Sequence, residues 1–243
     1  MALIRARPHL LLVVLFLAVF AALVCQLLAF QEKSAGNAGN PRTRESYDAL
    51  DKSRELEQSA TDLLKAMEVS RGDWVADLGA GGGYYSMRLS QLVGPEGKVF
   101  AEDISVDTIG WLNERVKAFD LRNVEVVKGE TDNPKLPSES LAAILIVDAY
   151  HHFTRYQAML EQFRHALKPG GRLIIADYSL PAHRAQSRAD QLKIHEIDPE
   201  LVRSEVSQAG FQVLKCEDPF LKDVKTGRIG LVDFWVMVAL RQK

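Results

Sequence analysis

The run Asp77-Leu78-Gly79-Ala80-Gly81-Gly82-Gly83 places four glycines within five residues, behind a carboxylate. Glycines at that density let a backbone turn sharply and approach a ligand closely. Spacing excludes two common phosphate-binding readings. A dinucleotide fingerprint needs G-x-G-x-x-G or a small third residue. Counted from Gly79 the last position is Tyr84; counted from Gly81 it is Ser86, with Gly82 and Gly83 intervening. The loop also lacks the Gly-Lys-Ser/Thr ending of a phosphate-cradling loop. What remains is Asp-x-Gly-x-Gly-x-Gly, and a carboxylate there suits a ligand bearing a cation rather than phosphates. A second constellation, Asp148-Ala149-Tyr150-His151-His152, combines groups that can orient or deprotonate an acceptor, since histidine titrates near neutrality. For each histidine a structural hydrogen bond is the competing role. Tyr178 and His195 flank the stretch Leu180 to Ile194 and are further candidates to line an acceptor pocket. Pro181 to Lys193 carries Arg184, Arg188 and Lys193 and reads as a solvated helix face or a lid. No Cys/His spacing of a metal site appears, and Cys25 and Cys216 do not make a disulfide framework. Cys216 reads as a small buried hydrophobe.

These residues need elements to hold them. Trp74 to Leu78 is a short apolar run ending at Gly79, hence a first strand. Val99 to Asp103, Val124 to Lys128, Leu141 to Val147, Arg172 to Asp177, Phe211 to Glu217 and Phe234 to Arg241 read as further strands. Leu141 to Val147 is apolar on both faces, as a central parallel strand should be. Helical spacing covers Arg54 to Glu68, Tyr84 to Leu92, Ser105 to Phe119, Tyr156 to Leu167 and Pro199 to Ala209. Lys168-Pro169-Gly170-Gly171 stops the fourth helix, and Gly210 follows the last. Strand and helix alternate throughout, which specifies an α/β sandwich around a mostly parallel sheet with right-handed crossovers.

The chain of 243 residues is 47% hydrophobic and 26% charged with a net charge of -2, so no global basic bias points to nucleic acid. Leu10 to Phe30 runs 21 residues without a charge behind Arg5 and Arg7. As a helix this spans roughly 31 Å, about one bilayer core. The division is therefore 1–31 signal-anchor or transmembrane segment, 32–45 linker and 46–243 domain. A cleaved signal and a buried helix are the alternatives; a cleaved signal would make the domain secreted or periplasmic. The positive-inside rule weakly favours a cytoplasmic N-terminus, which would put the domain outside.

The glycine loop resembles motif I of class I S-adenosylmethionine-dependent methyltransferases, and the resemblance continues along the chain. GPEGKVFAEDIS is similar to that family's second strand, which ends in an acid, here Asp103. LPSESLAAILIVDAYHHF resembles its fourth strand and following loop, ALKPGGRLIIADYS its fifth strand, and LVRSEVSQAGFQVL its late helix and sixth strand. The match covers about Arg54 to Arg241 and is nearest to the small-molecule branch that includes ubiquinone and menaquinone biosynthesis. It implies a Rossmann-like three-layer sandwich, with a seven-stranded sheet whose last strand is antiparallel. S-adenosylmethionine is the implied cofactor and a small, lipophilic molecule the implied acceptor. Asp77, Gly79, Ala80, Gly81 and Gly83 would form the methionine end of the site. Asp103 would take the ribose hydroxyls, with Ile104 beside it, and Glu130 stands where the family often has an aspartate near the adenine. Asp148 would contact the cofactor, with Tyr150, His151 and His152 as catalytic candidates and no metal. A protein acceptor and a non-catalytic binding module are the competing functions.

Overall fold

Alternating burial along each strand decides the layering. A computed structural model describes residues 51–52, 59–226 and 230–242. In β1 (Trp74–Leu78), β4 (Leu141–Val147) and β5 (Leu167–Ser179), successive side chains enter opposite cores. Ala76, Leu78, Ile144, Ile146, Leu173 and Ile175 face one core; Val75, Ala143, Leu145, Val147, Ile174 and Ala176 face the other. Both faces of the sheet therefore need a helical cover. α4 (Tyr156–Ala166) and α6 (Pro199–Gln208), which follows the short α5 (Arg188–Lys193), supply the first through Met159, Leu160, Phe163, Val202 and Val206. α1 (Ala60–Ala66) and α2 (Tyr84–Val93) supply the second through Ala60, Leu63, Tyr84, Tyr85, Leu89 and Val93. α3 (Val106–Ala118) adds Leu112 against Ala101 of β2 (Lys98–Asp103).

With β3 (Val124–Lys128), β6 (Phe211–Thr226) and β7 (Gly230–Arg241), the sheet has seven strands in the order β3-β2-β1-β4-β5-β7-β6. Pairing is parallel from β3 to β5, while β7 runs antiparallel to both β5 and β6. This is the expected Rossmann-like three-layer sandwich with an antiparallel last strand. The parallel register sets Leu78 beside Glu102 and Ile146, and Val147 beside Ala176. Four carboxyl ends thus open on one edge, the edge where such sheets bind ligands.

Side-chain caps start the helices where the sequence places them. The Ser105 side chain accepts from the Thr108 N–H, and Asp198 accepts from Glu200 N–H with Pro199 behind it. β1, β3 and β4 have the expected bounds. β5 differs: it begins at Leu167, because the Lys168-Pro169-Gly170-Gly171 stop continues as strand rather than loop. The expected segment 1–31, the linker 32–45 and the start of the first helix lie outside the described residues. Among the described residues no helix is long and apolar enough to cross a membrane.

Candidate active site

Gly79, Gly81 and Gly83 adopt φ of 67°, 54° and 76°, a left-handed region that costs other residues roughly 1–2 kcal/mol each. Gly79 is restricted a second time, because a Cβ there would sit 2.6 Å from the Cβ of Ala149. The glycine loop and the loop after β4 are therefore packed directly together. Gly81 N–H donates to Asp103 Oδ2 at 3.2 Å, and Ser105 N–H donates to Oδ1 at 2.9 Å. The acid at the end of β2 is thus held at the rim of the glycine loop. Asp77 is buried and accepts from the Ser86 hydroxyl at 2.6 Å. Ala80 is buried, while Ile104 is 51% exposed, an apolar surface beside Asp103. Glu130 is exposed and pairs with Lys135 at 2.7 Å, which holds its carboxyl below the ordinary range.

Glu102 shows what the sequence reading passed over. In a strand it is the neighbour that alternation sends to the face opposite Asp103. It proves 2% exposed, and a Cβ at Gly129 would fall 1.8 Å from its Oε1. The Gly79 N–H donates to its carboxyl. Burial, reinforced by the charge of Asp103, pushes its pKa from 4.5 up to about 8. A carboxyl in an otherwise apolar strand interior was the available signal.

Beyond β4, Asp148 takes φ 53° and its N–H donates to Ala176 O, tying the loop to β5. A short 3-10 turn, Tyr150–His152, follows. His151 is fully buried, with Nδ1 2.9 and 3.1 Å from the two oxygens of Asp177. The same carboxylate accepts from the N–H groups of His151 and Tyr178 at 3.1 and 2.8 Å. It is an acceptor throughout, so Nδ1 carries a proton, and in the neutral ring Nε2 carries the lone pair. Asp177 was read as the end of a strand and not as a site residue. His152 is exposed and His195 half-buried, and both rings meet His151, with centroids 4.0 and 5.4 Å from it.

Two candidates face elsewhere. Tyr150 is buried and its hydroxyl donates to Glu205 at 2.8 Å. Glu205 also accepts from Arg188 Nε at 2.7 Å, and burial pushes the phenol of Tyr150 well above its ordinary range. Tyr178 packs against Phe234 in the core on the α1 and α2 side. The stretch Pro181–Lys193, read as a solvated face or a lid, is stitched down. Arg184 forms a bidentate pair with Asp218 at 2.5 and 2.7 Å, and Arg188 reaches the buried carboxylate of Glu205. Glu196 accepts from Leu180 N–H and pairs with His183.

A family model described as a methyltransferase domain matches residues 70–214. A demethylmenaquinone methyltransferase of Listeria welshimeri is 32% identical over 120 residues, 49% of this chain and 51% of the relative. The chain thus spans about half the length of the curated relatives it matches. Among solved structures, a SAM-dependent methyltransferase from Aquifex aeolicus aligns with TM-score 0.64 at 24% identity, covering 77% of this chain and 92% of that one. The cyclase SpnF aligns with TM-score 0.64 at 14% identity, covering 76% and 81%. The fold is shared across different chemistries.

Proposed function

The chain belongs to the methyltransferase-domain family, and from that premise we propose that it moves a methyl group from S-adenosylmethionine to a small, lipophilic acceptor. One observation carries the reading: the cradle of three left-handed glycines at the end of β1, a conformation that disfavours any side chain, with the Gly81 amide tied to the rim acid Asp103. That cradle fits the cofactor. Asp77, Gly79, Ala80, Gly81 and Gly83 would hold its amino-acid end. Asp103, already placed to accept from neighbouring N–H groups, would accept from the ribose hydroxyls. The exposed face of Ile104 suits a flat base, with Glu130 at the outer rim. Asp148 would close the cradle next to Ala149.

When bound, S-adenosylmethionine would supply an electrophilic methyl group on a sulfonium, with a neutral thioether as the leaving group. The chain itself contributes position and exclusion of water. Asp177 fixes the His151 ring, so that His151, His152 and His195 form the acceptor side. Tyr150 contributes packing, because Glu205 engages its hydroxyl. A lipophilic acceptor is supported by the name of the Listeria relative and by the uncharged run Leu10 to Phe30, which would bring the domain to a membrane-borne substrate.

Calorimetric titration of S-adenosylmethionine into the full chain tests the cofactor. Micromolar binding is expected, weakened about 30-fold in Asp103→Ala, the equivalent of about 2 kcal/mol of lost charge-assisted hydrogen bonding. No binding by the folded wild type rejects the cofactor. Transfer of a labelled methyl group to a demethylated quinone tests the acceptor. Cofactor binding without transfer rejects the quinone and leaves the cofactor assignment standing.

A further inference from the structure

His151 and His152 lie 43 or more positions before His195, yet one nitrogen from each of the three lies within 4.8 Å of the others. The rings of His152 and His195 are 5.3 Å apart and nearly perpendicular, so they converge rather than stack. We propose that these three imidazoles bind one divalent transition-metal ion of the zinc class at the acceptor end of the site. The proposal does not depend on the methyltransferase reading.

Four features support it. Imidazole nitrogen is a preferred donor for zinc, cobalt, nickel and copper ions. With Nδ1 engaged by Asp177, the neutral His151 ring would offer Nε2 to a metal ion. A carboxylate holding the far nitrogen is the usual outer partner of a metal-bound histidine, and it fixes both tautomer and ring direction. Asp148, His151 and Asp177 also come together, but Asp177 is already committed to three N–H donors, which suits it to that outer role. Third, burial grades from His151, fully enclosed, through His195 to exposed His152. Three protein ligands with one open flank leave a fourth position for water or an acceptor oxygen, the arrangement of catalytic rather than structural zinc. Fourth, the distances are within reach. Ligand atoms around tetrahedral zinc sit roughly 3.3 Å apart, so modest ring rotation of His152 and His195 closes the present spacing. Sequence spacing gives no warning, because two adjacent histidines and a third more than 40 positions away match no metal motif.

Bound cobalt reports such a site by its visible absorption. The untagged full chain, stripped with chelator, is titrated with cobalt chloride and then with zinc chloride. One equivalent of cobalt should produce a tetrahedral-type band that zinc abolishes. His152→Ala, which alters an exposed side chain, and His195→Asn, which tolerates the φ of 58° at that position, should each weaken cobalt binding on the order of 100-fold. His165→Ala, a histidine on α4, should leave the band intact. Absence of the band in the wild type, its survival in both site variants, or its loss in His165→Ala would overturn the proposal. S-adenosylmethionine titration of the same variants reads the glycine cradle separately, so the two proposals fail independently.

Discussion

Where β1 and β2 end, the surface that would meet a ligand is mostly main chain. Three glycines hold left-handed turns, and an amide of the same loop is tied to Asp103. Where β4 and β5 end, the surface is side chain: His151 clamped by Asp177, with His152 and His195 around it. The two halves touch through Gly79 and Ala149. The contrast separates two tasks. A cradle of backbone can be kept for one constant ligand, because only backbone geometry defines it. A cluster of side chains can be rebuilt for a new acceptor without disturbing that geometry, which is how one fold serves many chemistries.

Glu102 is the sharpest test of that contrast, because it is a buried side chain beneath the backbone half. Its pKa of about 8 in the folded protein exceeds its ordinary value of 4.5, so between these the native state binds more protons than the unfolded chain. Stability should then fall as pH rises through this window, by on the order of 5 kcal/mol in total. Denaturant melts of the full chain from pH 5 to 8.5 measure it, and Glu102→Gln should flatten the slope. An unchanged slope in that variant would place the proton elsewhere. Second in size, Asp177→Ala should cost about 3 kcal/mol, since it strips the partner from a buried histidine and two backbone donors. Thermal denaturation would detect it, and a cost below about 1 kcal/mol would mean that the His151 clamp is not under load. Gly79→Ala should cost about 2 kcal/mol through left-handed strain and the Ala149 collision, and should weaken S-adenosylmethionine binding as well. Stability loss with unchanged cofactor affinity would separate the loop from the binding site. The smallest effect belongs to His152→Ala, within about 0.5 kcal/mol of wild-type stability, because the side chain is exposed.

The backbone half was the more legible in sequence for a physical reason. Its signal is local: five consecutive positions specify the turn, and the apolar runs of β1, β3 and β4 set their own bounds. The side-chain half depends on contacts across the sheet. Asp177 meets His151 from 26 positions away, and Asp177 looks in sequence like any acid at a strand end. Tyr150 stood with the two histidines as a catalytic candidate because all three follow β4. The 3-10 turn separates them, sending Tyr150 toward Glu205 and His151 toward Asp177. Arg184 and Arg188 looked solvated because their partners, Asp218 and Glu205, belong to distant elements. Beyond its place in an apolar strand, Glu102 gives no local sign of its burial, because the cover over it comes from Gly129, 27 positions away.

The place of β7 in the sheet bears on how the protein is made. It lies between β5 and β6, and among the described residues β6 has no other strand beside it. A ribosome therefore releases β6 before its neighbour exists, and the edge of β5 stays open until residues 230–241 emerge. Until then the nascent sheet presents unpaired backbone that can pair with another chain. The same geometry makes β7 a natural cut point: a fragment lacking it should be captured by a synthetic peptide of that sequence, which would let folding be switched on by addition.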